Sequence, residues 1–399
     1  MKRMTLAVAA ALASIGFAGN TPAQEKTVSI AAFGVKSGVL RLFGLNSEAA
    51  INAAVEEVNR SGGVKLADGS KAKMVVQPYL DDRCNAEEGI AVVRRLVGTD
   101  ALVAIGPTCS NVAEPLYGIL QKKVDDPKDT GLQFPILTDV AIKVGLAQIS
   151  EWSFRNVPNE NTMYSSLYYW LKTTRPELKT VYGGVEEDFA HSRASWHVVM
   201  KERASANGYT VLGESKWLLN DTNFSTQVRE IKKANPDILS IAAHPFTTCG
   251  LLKEMERQGV KPKLVVGLTS TSSQETMQGC PKQAEGMIIP SSFAPVSKEA
   301  KFASEQTAKK KGAADLHSMA AWENVFILKE VMEQAKISGK TDPASVQADR
   351  RKIRDGLAAL KTTKGLLGTN KRTADREADK PYVFVHAKGG NWQVLYNPL

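Results

Sequence analysis

Two rhythms alternate along the chain. Short unbroken apolar runs at residues 28–33, 74–80, 101–105 and 134–137 are each bounded by turn residues and read as strands. Between them, apolar residues return every three or four positions. Residues 46–59 carry Ala49, Ala50, Ile51, Ala53, Ala54, Val55 and Val58 at helical spacing, and Ser61-Gly62-Gly63 stops the helix. The stretch 34–44 before it reads as a glycine-containing loop. Residues 85–97 place Ile90, Val93, Leu96 and Val97 on one helical face, and a further helix is expected from about Asn111. The alternation restarts after residue 155, with helices expected at 160–173, 190–207, 224–234 and 247–258. The strands between them fall at 180–183, 210–212, 237–242 and 264–267.

Short continuous apolar strands separated by amphipathic helices imply parallel sheets covered on both faces. Two such series predict an α/β protein of two doubly wound, Rossmann-like lobes. The last hundred residues differ. Helices are expected at 313–335 and 349–360, and a hairpin from 382–385 and 392–395 around Lys388-Gly389-Gly390. The polar, basic stretch 361–381 reads as a surface loop.

The first residues stand apart from this pattern. Met1-Lys2-Arg3 is basic, residues 4–18 are apolar and uncharged, and Thr21-Pro22-Ala23 supplies small residues. This is the layout of a secretory signal peptide, expected at 1–23, with a core too short to span a bilayer. An exported protein is therefore expected. The length of 399 residues suits two domains. The net charge of +9 is spread along the chain, with no block longer than Lys309-Lys310-Lys311, which argues against a nucleic-acid arm.

Export changes the reading of the four cysteines, Cys84, Cys109, Cys249 and Cys280, because an oxidising compartment favours disulfides. Three connectivities are open. The local pairs Cys84 with Cys109 and Cys249 with Cys280 are favoured, and free buried thiols are the alternative. No zinc spacing is present, so neither a metal nor a cofactor is expected. No phosphate-binding glycine loop, nucleophile elbow or H-E-x-x-H motif occurs, and His191, His197, His244, His317 and His386 are scattered. The chain is read as a binding protein. The rival readings are an exported ligand sensor and, less favoured, a secreted enzyme.

Five stretches, in order, carry a family resemblance. They are Ser37-Gly38 with Gly44 and Ser61-Gly62-Gly63; Asp81-Asp82-Arg83-Cys84 with Gly106-Pro107-Thr108-Cys109-Ser110; Asn223-Phe224-Ser225; Asn235-Pro236-Asp237-Ile238; and Gly259, Gly267 and Ala284-Glu285-Gly286. Together they resemble the leucine/isoleucine/valine-binding group of periplasmic solute-binding proteins that serve ABC importers. The resemblance implies a type I periplasmic binding fold with a ligand cleft between two lobes, a disulfide between Cys84 and Cys109, a membrane permease as partner and a monomeric state. It also implies three hinge crossings, near 155–157, 288–291 and 380–383. The lobes would then be 24–155 plus 291–380, and 156–290 plus 381–399.

Carried over position by position, the resemblance puts Ser110 against a ligand carboxylate, with Cys109 and Val140 beside it. Phe43 and Phe189 would pack on the ligand, and His244 would donate from a strand end. Plain helix capping for Ser110, core packing for the two phenylalanines and a surface loop for His244 are the alternatives. Two positions depart from the pattern. Thr269 stands where leucine binders carry the Glu that holds the ammonium, and Ile142 stands where they carry a Thr. A buried ammonium without a partner is costly. The Thr269 departure therefore shifts the expected ligand from an α-amino acid toward another organic acid, such as an aromatic one, or an amide. Asp139 is the substitute that could still hold an ammonium. Lys36 and Arg41 are expected as rim charges, and His317 as a minor candidate.

Overall fold

The computed structural model describes residues 25–398. The expected signal peptide, 1–23, lies outside them. The first series comprises β1 (Thr27–Gly34), α1 (Arg41–Arg60), β2 (Val64–Lys65), β3 (Lys71–Val76), β4 (Leu80–Asp81), α2 (Ala86–Val97), β5 (Ala104–Ile105), α3 (Ser110–Gly118), β6 (Ile136–Thr138) and β7 (Ser153–Arg155). Its sheet runs β2-β3-β1-β5-β6-β7, with β4 also beside β1, and every pair but β2–β3 is parallel.

The second series begins with α4 (Glu160–Thr174) and β8 (Thr180–Glu186). It continues through α5 (Ala190–Ala194), a π turn (Ser195–Met200) and α6 (Lys201–Ala206), which form one continuous helix. β9 (Thr210–Trp217), α7 (Ser225–Ala234), β10 (Ile238–Ala242), α8 (Pro245–Arg257), β11 (Leu264–Gly267), α9 (Gln274–Gly279) and β12 (Ile288–Ser291) complete it. The chain then returns to the first sheet as α10 (Lys298–Lys309), α11 (Leu316–Gln334) and α12 (Pro343–Ala359), and Met319, Leu328 and Ile353 share a core with Val28, Ile51 and Val58. After β13 (Thr362–Gly365), β14 (Gly368–Arg372) and β15 (Ala378–Asp379), the last strands β16 (Val383–Lys388) and β17 (Asn391–Tyr396) join the second sheet. That sheet runs β17-β16-β12-β11-β10-β8-β9.

Local chemistry sets the element ends. The Asn85 side chain accepts from the amides of Glu87 and Glu88 and starts α2, and Asp315 with Ser318 forms a capping box on α11. α1 starts earlier than the helical spacing predicts, at Arg41. The loop before it folds so close that a Cβ on Gly44 would lie 1.9 Å from the Val35 carbonyl oxygen, which only glycine tolerates. α12 begins six residues before its expected start because Asp342 caps it and Pro343 occupies its first turn. The buried Arg350 of α12 donates to the carbonyls of Val97, Thr99 and Ala101, satisfying the backbone between α2 and β5. Both cysteine pairs are disulfides, Cys84–Cys109 and Cys249–Cys280.

One expectation fails outright. Residues 361–381 are not a surface loop but carry the antiparallel sheet β13-β14-β15. Most of its polar residues stay exposed, but three turn inward. Thr363, Asn370 and Lys380 are buried, and Asn370 and Lys380 both meet Glu323 of α11.

Candidate functional site

In an open parallel sheet, ligands settle where neighbouring strands send their connections to opposite sides. The first sheet has this point between β1 and β5, and the second between β8 and β10. The two points face each other. A narrow space lies there, lined by Leu40, Phe43, Thr108, Cys109, Ser110 and Val140 from one sheet's side and by Phe189, His191, His244 and Ser270 from the other's.

The second side is built on two buried carboxylates. Glu186 ends β8, and parallel register sets Val185 beside Ala242, so His244 lies next to Glu186. Glu186 Oε2 accepts from His244 Nδ1 at 2.6 Å and from Ser192 Oγ at 3.0 Å. Its Oε1 accepts from the His244 amide at 3.0 Å and from the Thr247 hydroxyl. Glu160 opens α4 and repeats the device, with Oε1 accepting from His191 Nε2 at 3.0 Å and Thr269 Oγ1 at 2.5 Å, and Oε2 from Ser195 Oγ at 2.5 Å. Burial alone would push both carboxyls up. Attraction to the paired imidazole and the converging donors outweigh it, so Glu160 and Glu186 both sit below the ordinary glutamate value and are ionised.

These pairs fix how the histidines face the space. Each ring spends one nitrogen on its glutamate. The other nitrogen of His191, Nδ1, lies 3.5 Å from Ser270 Oγ, which in turn is 3.2 Å from His317 Nε2 across the cleft. His317, on α11, is buried, and burial followed by the neighbouring His191 and His244 holds it well below the usual imidazole value. Aromatic edges close the ring of side chains, with Phe189 4.4 Å and Phe43 6.1 Å from the His244 centroid and Phe43 5.1 Å from His317. The three histidines are not a metal site, because among the described residues no group of three or more His, Cys, Asp or Glu is arranged to hold one.

The first side presents the start of α3. Its N-cap is Cys109, pinned by the disulfide to Cys84, and Ser110 is the first helical residue rather than the cap. The Ser110 hydroxyl accepts from the Lys143 amide at 3.2 Å. The positive potential and free amides of a helix start suit an anion.

Of the residues singled out in the sequence, Ser110, Cys109, Val140, Phe43, Phe189 and His244 come together on the wall of this space. Thr269 and Asp139 do not. Thr269 is turned into the second lobe as a donor to Glu160 and acts on the space through His191. Asp139 is 1% exposed, lies behind Val140 against Ser47, and lines none of the space. Ile142 is core, and Lys36 pairs with Glu48 at 2.7 Å. Glu160, Glu186, His191 and Ser270 were not singled out. A Glu closing an otherwise apolar strand, as at 180–186, was the available signal for the first dyad.

Asp139 yields a pH prediction. Burial pushes its carboxyl up to about 7, opposed by the Ser47 hydroxyl and backbone amides and reinforced by Asp315. Between the unfolded value of 3.8 and about 7 the native state therefore holds more protons than the unfolded chain. Stability from this source is full below about pH 4 and is lost as the pH rises to about 7, by ~4 kcal/mol at most for a rise of about three pKa units. His317, whose value falls on folding, works in the opposite direction, so the parent alone is not diagnostic. The difference between Asp139→Asn and the parent isolates the carboxyl. The variant is expected to melt several degrees higher at pH 8 and much nearer the parent at pH 4.5, where only about 1 kcal/mol of this contribution has been lost; a difference that does not vary with pH refutes this account.

The comparisons with known proteins agree with this geometry. A sequence profile described as periplasmic binding protein matches residues 27–391. The leucine-, isoleucine-, valine-, threonine- and alanine-binding protein of Pseudomonas aeruginosa is 23% identical over 343 residues, covering 84% of this chain and 85% of its own. Among solved structures, the branched-chain amino acid transporter substrate binding protein LivJ from Streptococcus pneumoniae, in complex with isoleucine, superposes with a TM-score of 0.75 at 18% identity, over 92% of this chain and 98% of that one. A solute binding protein of an ABC transporter from R. palustris, in complex with benzoate, gives 0.76 at 15% identity, over 93% and 96%. Two doubly wound lobes facing each other across a small cleft, matched by one profile over nearly their whole length, place this chain in the periplasmic binding protein family, in the type I fold of its Leu/Ile/Val-binding group.

Proposed function

We propose that the protein is the exported solute-binding component of an ABC importer, and that it captures a small carboxylate with a flat apolar body, an aromatic acid, in preference to an α-amino acid. The carrying observation is the composition of the wall. Two glutamate-anchored histidines and a helix start face the space, apolar side chains line much of it, and among the described residues none that lines it is acidic. An α-amino acid brings an ammonium that needs a carboxylate partner. Glu160 and Glu186 already have all their near donors within the protein, and Asp139 lies behind the wall. Phe43 and Phe189 offer their rings to a planar body, and the imidazoles with Ser110 offer donors to its carboxylate. The R. palustris protein of the same fold holds benzoate.

In this reading the lobes divide as 24–155 plus 291–380 and 156–290 plus 381–399. The leader is removed after Ala23, the lobes close over the ligand by hinge motion, and a membrane permease receives it. Residues 24–399, unfolded and refolded to clear any carried ligand, are the material for the test. Thermal shift is followed with benzoate, 4-hydroxybenzoate, leucine, isoleucine and threonine. A ligand at a hundred times its Kd stabilises by about 2.7 kcal/mol. Stabilisation by the aromatic acids and none by leucine is expected. Leucine as the stabilising ligand would overturn the aromatic-acid assignment.

A further inference from the structure

Asn111, the second residue of α3, reaches across the cleft and meets the other lobe on both sides of Phe189. Its Oδ1 accepts from the Ala190 amide at 2.7 Å, and its Nδ2 donates to the Asp188 carbonyl at 3.4 Å. Ala190 begins the continuous helix 190–206, and the N-cap residue of that helix is Phe189, whose side chain cannot accept a hydrogen bond. The first amides of a helix lack intrahelical partners and normally take a capping side chain from their own segment. Here the acceptor comes from the opposite lobe.

We propose that Asn111 is the latch of the closed state: it caps the Phe189 helix in trans and thereby holds Phe189 over the ligand space. The geometry gives the latch a definite action. Phe189 lines the space and packs against His244. The start of the same α3 carries its N-cap Cys109 and its first residue Ser110 into the space just before Asn111. When the lobes separate, the Ala190 amide loses its protein acceptor and must find water. When they close, the bond forms, and the backbone on either side of Phe189 is fixed relative to Ser110. The latch touches backbone only and does not line the space, so it favours closure whatever the ligand. Loss of Asn111 therefore weakens all ligands by one common factor, whereas loss of a wall residue weakens them selectively.

The inference rests on the reading of the protein as one that closes on a ligand, but its test has an arm that needs none. Single-molecule energy transfer between dyes placed on α2 and α7 of the refolded protein reads the closed fraction without ligand. With benzoate as probe, stopped-flow reads the dissociation rate. A net hydrogen bond of ordinary strength corresponds to roughly a tenfold change in such an equilibrium. Asn111→Ala is expected to lower the closed fraction and to speed benzoate release, each about tenfold, while the melting temperature of the ligand-free protein stays within a degree or two. Asn111→Asp keeps the acceptor for Ala190 and loses only the longer bond to Asp188, so it is expected to retain most of the closed fraction. A closed fraction that does not change in Asn111→Ala, including a parent that never closes unaided, overturns the latch. Failure of benzoate to bind counts against the proposed ligand and leaves the energy-transfer result to decide Asn111.

Discussion

Glu186→Gln is expected to lower affinity for an anionic ligand by on the order of a hundredfold, with the fold retained. Four donors converge on this carboxylate: the His244 ring, the His244 amide, and the hydroxyls of Ser192 and Thr247. The amide side chain has the same shape, but it carries no charge and turns an NH2 group toward donors that need an acceptor. The consequence reaches the ligand through His244. With Glu186 ionised, the ring is held by Nδ1 and its Nε2 is free for a ligand. A ligand carboxylate arriving there meets the imidazole on the side away from Glu186, and the glutamate fixes the orientation of the ring for that contact. Titration calorimetry with benzoate reads the affinity. Glu186→Gln should lose affinity, and Glu160→Gln should do the same through His191. Undiminished affinity in both variants would mean that the ligand sits elsewhere.

What the sequence revealed of this site, and what it did not, follows from the range of the interactions. Ser110, Phe43, Phe189 and His244 lie at strand ends or helix starts. Those places are legible locally, because an apolar run followed by helical spacing marks the carboxyl edge of a parallel strand. The dyads are not local. Glu160 meets His191 across 31 residues, and Glu186 meets His244 across 58. Glu186 stands before Glu187 and Asp188, and the three read together as solvated charge although the first is fully buried. His317 was visible only as a minor candidate, since it reaches Ser270 from 47 residues away and across the cleft. Thr269 is legible in the sequence as a departure from the family pattern, but its hydrogen bond to Glu160 is not. The hydroxyl does not replace a ligand-binding carboxylate but helps hold Glu160 in its charged form.

The stretch 361–381 is largely exposed, as its polarity suggests, but it pairs as strands and turns Thr363, Asn370 and Lys380 inward. A strand can carry lysine and asparagine inward where a buried carboxylate receives them, and that carboxylate, Glu323, comes from a helix about forty residues earlier. Composition over a window cannot show such a partner.

Glu323→Ala is expected to produce the largest loss of stability of any single change considered, ~3–5 kcal/mol. Glu323 is 5% exposed. Its Oε2 accepts from Lys380 Nζ at 2.5 Å, Asn156 Nδ2 at 2.9 Å and Asn370 Nδ2 at 3.2 Å, and its Oε1 from the Leu366 amide at 2.8 Å. Asn156 follows the last strand of the first sheet, and Lys380 precedes β16 of the second. One carboxylate thus ties two connections between the sheets to each other and to the β13–β15 unit. Removing it leaves the Lys380 ammonium buried with only the Asn156 carbonyl, 3.3 Å away, and an ammonium so placed costs far more than the pair contributes. The argument carries its own control. Glu323→Leu with Lys380→Met removes both charges together and fills the volume, and such replacements are often neutral or better. Urea unfolding of the single and double variants measures the difference. A double variant much more stable than Glu323→Ala is expected. If the two are equally unstable, the orphaned ammonium is not the cause and the loss lies in the contacts to Asn156, Asn370 and Leu366. If Glu323→Ala unfolds at the parent's urea concentration, the carboxylate does not hold these connections together.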